Sequence, residues 1–262
     1  MKEILDKIFD KYKSFSQVRA IAIGGSTSAK TNDDTSDTDV YVFVESDIPV
    51  SERLNFVKQI SSNFEVGGEY FGSGDEFFVD NIEKQLDVMF WNVNWFESVV
   101  ENTWIRHYPS NGYSTCFLYT LKNFEIIYDT NNWLKNLQNL LKEEYPEELQ
   151  KNIIKRNMML MREKPFASYY EQIEKAVKRG DVVSINHRIS AFLTSYFDVI
   201  FALNKLLHPG EKRLVKYAKD NCKILPENFA VNIEKLLNQP NKDTLVILNK
   251  MYENLLKFIS EY

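Results

Sequence analysis

Cysteine and histidine are scarce in this chain of 262 residues. The two cysteines, Cys116 and Cys222, stand far apart without a Cys-x-x-Cys pair, and the three histidines form no cluster with them. This pattern excludes a disulfide framework and a zinc site of the usual ligand spacing. No stretch approaches the roughly 20 consecutive apolar residues that a membrane-spanning helix needs. We therefore expect no membrane partner and a reducing, cytoplasmic location.

Positive charge is also in short supply. The chain has 32 Lys and Arg against 37 Asp and Glu, a net charge of -5, so nucleic acid is not an expected partner. Gly and Pro are few, with 44% hydrophobic and 26% charged residues, which indicates a globular chain and not a disordered or fibrous one. The first residues, MKEILDKIFDKYKSF, have the pattern of a charged amphipathic helix and not that of a signal peptide.

Short strand patterns fill the first half of the chain. The runs VRAIAIG, DVYVFVE, FEVGGEYF, DEFFVD, KQLDVMFWNV and NFEIIYD are rich in β-branched and aromatic residues, and turn residues separate them. Helices are predicted over residues 51–64 and over residues 94–105, the second one capped by Asn94. From residue 131 onward, apolar residues recur at helical spacing. We predict an α+β chain, with a mixed sheet flanked by helices in residues 1–130 and a helical bundle in residues 131–262.

The stretch GGSTSAKTNDDTSDTDVYVFV, residues 24–44, combines a tight turn, a polar spacer and an acidic strand start. Strand alternation places Asp37 and Asp39 on one face and the following valines on the other. Aspartate is a poor strand former, and two like charges 4 Å apart repel by about 4 kcal/mol at an effective dielectric constant of about 20. A divalent cation relieves this repulsion, and Mg²⁺ prefers carboxylate oxygens together with substrate phosphates.

The turn before these aspartates suits a phosphate chain. Gly24 and Gly25 let the backbone approach a ligand closely, Ser26 offers a hydroxyl and an amide, and a helix that starts here would favour anions. Asp87 interrupts the apolar run QLDVMFW, where an acid without a partner would be costly to bury. A place beside the two strand-start aspartates explains it. The sequence therefore predicts a site for a nucleoside triphosphate with Mg²⁺.

This arrangement resembles a known superfamily. Gly-Gly-Ser at 24–26, Asp-x-Asp at 37–39 and a later acid at Asp87 are similar to the motifs of polymerase β-type nucleotidyltransferases. The aminoglycoside and lincosamide nucleotidyltransferases of that superfamily also follow this domain with a helical one. The segment FALNKLLHPGEKRLVKYA, residues 201–218, looks like a motif of uncharacterised bacterial members.

The resemblance implies an enzyme that transfers a nucleoside monophosphate, with ATP as the donor by family habit, to a hydroxyl of a small acceptor and releases pyrophosphate. It implies that residues 1–130 form the catalytic domain and that residues 131–262 cover substrate and nucleotide. The implied catalytic residues and Mg²⁺ ligands are Asp37, Asp39 and Asp87, and Asp87 is either a general base or only a ligand. The implied nucleotide-binding residues are Gly24, Gly25, Ser26 and Lys212.

The segment GGEYFGSGDEFFVDNIEKQ, residues 67–85, mixes glycines, aromatic rings and acids. Its acidic residues are Glu69, Asp75, Glu76, Asp80 and Glu83. One interpretation is a pocket for a cationic acceptor, with Glu69 and Glu76 as the candidate binding residues. The other is a solvated strand edge whose charges discourage pairing with a further strand.

Two other functions stay open at this point. The same chemistry could modify tRNA or a protein side chain, as in toxin-like members of the superfamily, although the acidic balance disfavours RNA. A non-catalytic nucleotide-binding module is the third hypothesis, and the presence of all three acidic positions argues against it. The sequence leaves open the nucleotide preference, the number of metal ions and the oligomeric state.

Overall fold

The structure, a computed structural model, describes residues 2–24, 38–70, 72–80, 82, 84–163, 167–238 and 243–260. The chain divides into two compact units. The first contains residues 1–101 and 120–143, and the second contains residues 102–119 and 144–262. The catalytic and covering roles of the two predicted domains stay predictions.

The first unit is built on a mixed sheet. In the described part of the chain its strands are β1 (Val18–Ile23), β2 (Thr38–Val44), β3 (Phe64–Gly68), β4 (Gly74–Val79), β5 (Lys84–Asn92) and β6 (Glu125–Asp129). Their order is β3-β4-β5-β2-β1-β6. Strands β2 and β5 are parallel, and the other neighbours are antiparallel. The structure thus confirms the α+β class with a mixed sheet.

Helices pack on both faces of this sheet. They are α1 (Lys2–Lys13), α2 (Val50–Val57), α3 (Val93–Val100) and α5 (Trp133–Leu140), whereas α4 (Cys116–Lys122) begins in the second unit and ends in the first. Helices α1 and α2 cover one face, where Val40 and Val42 of β2 join Ile8 and Val57 in one buried cluster. On the other face Phe43 packs against aromatic rings of α3, α5 and the segment before β6. Burial of these apolar side chains, at about 25 cal/mol per Å², holds the layers together.

One predicted helix cap is wrong by two residues. Helix α3 begins at Val93, and the side chain of Asn92, not Asn94, accepts a hydrogen bond from the Trp95 backbone N–H at 3.0 Å. The helix follows β5 without an intervening turn, so the last strand residue serves as the N-cap. Its pattern continues as a π-helix over Glu101–Ile105. The helix predicted over residues 51–64 is also shorter, because β3 already begins at Phe64.

The second unit is built from helices. They are α6 (Glu147–Met158), which continues as a π-helix (Met159–Glu163), α7 (Tyr169–Arg179), α8 (Val182–Leu203), α9 (Leu214–Asn221), α10 (Phe229–Asn238) and α11 (Thr244–Ser260). Helix α8 is central, since Phe192, Tyr196 and Ile200 lie in the buried cluster to which the neighbouring helices contribute. No helix in the described ranges is long and apolar enough to cross a membrane.

A buried carboxylate joins α8 to the segment 102–119 of the same unit. Asp198, which is 2% exposed, accepts hydrogen bonds from the Ser114 backbone N–H at 3.0 Å, from Ser114 Oγ at 2.6 Å and from Asn157 Nδ2 at 2.9 Å. Burial raises the pKa of Asp198 to about 6, and these hydrogen bonds oppose the rise. Burial therefore outweighs the three donors.

This carboxyl predicts a pH dependence of stability. An unfolded aspartate loses its proton near pH 4, whereas folded Asp198 keeps its proton to about pH 6. The free energy of unfolding should therefore fall by about 2–3 kcal/mol as the pH rises through this window, and stay level with respect to this group above it. Urea denaturation followed by circular dichroism checks this between pH 4 and pH 7. In Asp198→Asn the corresponding fall should vanish, and an unchanged profile would contradict the assignment.

Candidate functional site

The sheet brings together two of the predicted acidic residues. Asp39 of β2 and Asp87 of β5 are directly opposite each other in the parallel register. Directly paired residues project to the same face, and neighbouring strands lie about 4.8 Å apart. Both residues are half-buried. The face that they share is the one opposite to Val40 and Val42, as strand alternation predicts.

Two more carboxylates continue this line across the sheet. Glu76 of β4 is paired with Asp87, and Glu65 of β3 is paired with Glu76. The order across four neighbouring strands is therefore Glu65, Glu76, Asp87 and Asp39, which we call the carboxylate row. The two glutamates are exposed, whereas the two aspartates are half-buried. The row thus runs from open solvent towards the centre of the sheet.

Four aromatic side chains, Tyr41, Phe43, Trp91 and Phe124, pack against one another next to the carboxylate row, and we call them the aromatic floor. Tyr41 is on the same face as Asp39, and its ring packs edge-on against Trp91 and Phe124 at centroid distances of 4.7 and 4.8 Å. Burial raises the pKa of the Tyr41 hydroxyl well above its usual range, and the charges of Asp39 and Asp87 raise it further. The phenol therefore stays neutral and adds no third negative charge to the aspartate pair.

Gly24, the first glycine of the predicted phosphate turn, is hydrogen-bonded to β2. The Gly24 backbone N–H donates to the Asp39 carbonyl oxygen at 3.0 Å. A Cβ atom on Gly24 would lie 2.5 Å from Tyr41 Cε2 and 3.2 Å from Phe124 Cε1. Distances below 3.0 Å do not occur for real Cβ atoms, so only glycine fits at this position as long as the rings stay in place.

The far end of the carboxylate row opens into a cleft. The cleft has a volume of about 460 Å³ and is lined by Glu65, Val66, Gly67, Gly68, Glu69 and Tyr70. The Tyr70 ring is 89% exposed, and both glutamates are exposed. Carboxylates beside an open aromatic ring suit a ligand that carries amino groups and apolar faces.

The roles of four predicted residues stay predictions. Gly25, Ser26 and Asp37 lie outside the described residues, so their predicted roles stay predictions. Lys212 is exposed in the second unit, two residues before α9 begins. Its contact with a phosphate also stays a prediction.

Two acids of the segment 67–85 have structural partners. Asp75 is 1% exposed and forms an ion pair with Arg53 of α2 on the opposite face of the sheet. Asp80 accepts hydrogen bonds from the Ser62 backbone N–H at 3.0 Å and from Ser62 Oγ at 2.9 Å. Asp75 and Asp80, which were not among the candidate acceptor-binding residues, thus bind groups within the protein. Acceptor binding remains a prediction for Glu69 and Glu76.

The Asp39 and Asp87 pair suits a hard divalent cation. Two carboxylates on adjacent strands supply the oxygen ligands that Mg²⁺ takes from proteins, and waters or phosphates normally fill its other positions. Among the described residues no group of three His, Cys, Asp or Glu side chains is arranged to hold a metal ion. A third protein ligand would therefore have to come from outside them, where Asp37 is found in the sequence.

Sequence reasoning missed Glu65 and Tyr41. Glu65 lies between the apolar residues Phe64 and Val66 on β3, which ends in two glycines. Pairing β3 with β4 as a hairpin would have placed Glu65 beside Glu76. Tyr41 follows Asp39 by two positions, so alternation alone puts it on the carboxylate face. Its contact with Gly24 carried no sequence signal.

Comparisons with known proteins give partial matches. The model of a family described as a domain of unknown function, DUF4037, matches residues 113–214. No curated protein matches the chain. In structure the chain is similar to a nucleotidyltransferase-like protein from Exiguobacterium sibiricum 255-15, with 11% identity and a TM-score of 0.49 over 98% of this chain and 73% of that one. It is also similar to a STING-associated CdnE c-di-GMP synthase from Capnocytophaga granulosa, with 14% identity and a TM-score of 0.30 over 99% of this chain and 79% of that one.

Proposed function

We propose that this chain is a Mg²⁺-dependent nucleotidyltransferase of the polymerase β type. It transfers AMP from ATP to a hydroxyl of a small, cationic acceptor and releases pyrophosphate. The observation that carries this proposal is the direct pairing of Asp39 with Asp87 on adjacent parallel strands. Two half-buried carboxylates side by side offer the oxygen ligands that Mg²⁺ takes from proteins, and phosphate oxygens of a bound triphosphate would complete its coordination. The cytoplasm supplies ATP and suits the two free cysteines.

In this proposal the residues of the sheet position the reactants. Asp39 and Asp87, together with Asp37, hold Mg²⁺, which when bound neutralises charge on the transferred phosphoryl group and on the pyrophosphate. Gly25 and Ser26 bind the triphosphate through backbone N–H and hydroxyl groups, while Gly24, predicted with them, donates its own N–H to the Asp39 carbonyl and so holds the start of the turn next to β2. The rings of Tyr41, Trp91 and Phe124 lie on the same face of the sheet as the aspartate pair, and an apolar surface of this kind strengthens nearby electrostatic interactions.

The carboxylate row supports a cationic acceptor. Glu76 lies next to Asp87 in the register, so an amino group bound by Glu76 would hold a neighbouring hydroxyl near the aspartate pair. Glu65 and Glu69 in the cleft would bind further amino groups, and Tyr70 would cover an apolar face. Hydrogen bonds between charged groups of this kind contribute about 1.5–3 kcal/mol each.

Calorimetry with a non-hydrolysable ATP analogue tests the nucleotide part of the proposal. The wild-type chain should bind the analogue in the presence of Mg²⁺ and much more weakly in EDTA. Binding that does not depend on Mg²⁺, together with no turnover on any acceptor, would instead favour a non-catalytic nucleotide-binding module.

A variant of Glu76 tests the acceptor part. With α-labelled ATP and a panel of hydroxylated polyamines, Glu76→Gln should raise the acceptor KM about tenfold and leave the ATP KM unchanged, since one charged hydrogen bond is lost. Glu52→Gln on α2, which packs against the opposite face, is the matched control and should change neither value. Neutral analogues of the same acceptors should be poor substrates for all three proteins.

The same labelled ATP distinguishes the class of acceptor. After incubation with cell extract, label should enter the small-molecule fraction. Label in RNA or in protein would overturn the small-molecule acceptor and favour the tRNA- or protein-modifying alternative, while leaving nucleotidyl transfer in place.

A further inference from the structure

The contact between Gly24 and Tyr41 bears on how the proposed site is held in shape. Gly24 follows the last residue of β1, and in the sequence it directly precedes Gly25 and Ser26. Its backbone N–H donates to the carbonyl oxygen of Asp39, whose side chain belongs to the aspartate pair. The backbone of Gly24 is therefore tied to one of the two residues that would bind the metal ion.

The Tyr41 ring lies directly against Gly24. A Cβ atom there would approach Tyr41 Cε2 to 2.5 Å and Cδ2 to 3.1 Å. The backbone of Gly24 does not have the positive φ that favours glycine, so the reason for glycine here is the space taken by the ring. The Tyr41 ring contacts the Gly24 backbone on one side, and the hydrogen bond from the Gly24 N–H to the Asp39 carbonyl connects the same backbone to β2.

The ring itself has little freedom to move away. Tyr41 is 9% exposed, and Trp91 and Phe124 contact it edge-on at 4.7 and 4.8 Å. Both neighbours also pack against Phe43, one step further along the same face of the strand. Close-packed interiors resist rotamer changes of this size, so the position of the ring is set by the whole aromatic floor.

We propose that Tyr41 is a positioning residue, whose ring fixes the backbone at Gly24 relative to the Asp39 and Asp87 carboxylates. The inference rests on the proposed function, because its consequence is the alignment of the triphosphate turn with the metal ion. Displacement of such an element by about 1 Å can cost about a hundredfold in activity, even without the loss of a direct contact. The ring, and not the hydroxyl, performs this role.

Calorimetry with the non-hydrolysable ATP analogue and Mg²⁺ tests the role of Tyr41. Gly24→Ala should weaken binding about a hundredfold, and Tyr41→Leu about tenfold, since the backbone is then unsupported. The double variant Gly24→Ala/Tyr41→Leu should bind about as well as Tyr41→Leu alone, because leucine lacks the Cε2 atom that a Cβ on residue 24 would approach to 2.5 Å. Such strong non-additivity is typical of residues in contact. Tyr41→Phe should stay within about twofold of the wild-type chain.

Tyr128→Leu on β6 serves as the control for a lost aromatic ring elsewhere in the sheet, and it should leave binding unchanged. A purely structural role would lower the melting temperature of Tyr41→Leu without changing binding in the folded protein at low temperature. If Gly24→Ala fails to fold, recovery of folded protein in the double variant supports the contact, and failure to recover contradicts it.

The outcomes separate the two proposals. Mg²⁺-dependent binding by the wild-type chain, combined with additive losses in the double variant or a large loss in Tyr41→Phe, would overturn the role of the Tyr41 ring and leave the proposed function standing. No Mg²⁺-dependent binding by the wild-type chain would overturn the proposed function and, with it, the positioning role.

Discussion

Asp39→Asn is expected to abolish nucleotidyl transfer and to leave the fold intact. Asp39 would hold the metal ion together with Asp87, its direct partner in the sheet. Stabilisation of transition-state charge by a bound metal ion amounts to several kcal/mol, so loss of a ligand should lower the rate of transfer on the order of 10²–10⁴-fold. Pyrophosphate release from ATP, measured with Mg²⁺ in excess and acceptor at saturation, gives the rate.

The stability of Asp39→Asn, in contrast to its activity, should change little. The amide removes one of two like charges on adjacent strands, so the free energy of unfolding should stay within about 1 kcal/mol of the wild-type value or rise slightly. Glu52→Gln, on the helix that packs against the opposite face, is the matched control and should keep full activity. Full activity of Asp39→Asn would contradict the role of Asp39 as a metal ligand, and unfolding of the variant would contradict the expected effect on stability.

The candidate site was predictable from the sequence where the physical rule is local. Alternation along one strand puts Asp39 and Val40 on opposite faces, and it requires no knowledge of neighbouring strands. The pairing of Asp39 with Asp87 is different, since α2, β3 and β4 lie between these strands in the sequence. The cost of an acid in an apolar run indicated that Asp87 needs a partner, but the one-to-one register came only from the assembled sheet.

The burial of Asp75 shows the same limit. In DEFFVD the alternation puts Asp75 on one face with Phe77 and Val79, which are apolar and buried, so the sequence contained a signal that Asp75 points inward. Its partner is Arg53, on a helix 22 residues earlier, and no spacing rule links the two. Only the packing of α2 against the sheet brings these two residues together.

Element boundaries depended on competition between neighbouring segments. The helical pattern over residues 51–64 is continuous, yet α2 ends at Val57 because Phe64 and Val66 pair into β3. A strand that joins a sheet gains backbone hydrogen bonds and burial, which outweigh the small differences in helix propensity. Strand and helix also compete at the end of β5, where the strand extends to Asn92 and this last strand residue is the N-cap of α3.

Removal of one partner from the buried ion pair between Arg53 and Asp75 should strongly destabilise the first unit. Arg53 is 4% exposed, and its Nη1 donates a hydrogen bond to Asp75 Oδ1. Its Nε donates to the Ile48 carbonyl oxygen at 3.3 Å. Its guanidinium carbon lies 4.4 Å from the centre of the Phe90 ring. Asp75 Oδ1 also accepts from the Gly67 backbone N–H at 2.9 Å. Burial raises the pKa of Asp75 even though Arg53 and the Gly67 N–H lower it, so the carboxylate depends on both partners.

Arg53→Leu is therefore expected to lower the free energy of unfolding by about 3–5 kcal/mol near pH 7, because it leaves a buried carboxylate without its cation. The loss should shrink towards pH 4, since Arg53 lowers the pKa of Asp75 and its removal raises that pKa further, so folded Asp75 in the variant keeps a proton that the unfolded chain gives up. Arg53→Leu/Asp75→Asn retains an acceptor for the Gly67 N–H without the charge, and it should recover more than half of the loss. Urea denaturation followed by circular dichroism measures all three proteins. Equal losses in the single and double variants would show that packing of the guanidinium on Phe90, and not the uncompensated charge, is what Arg53 contributes.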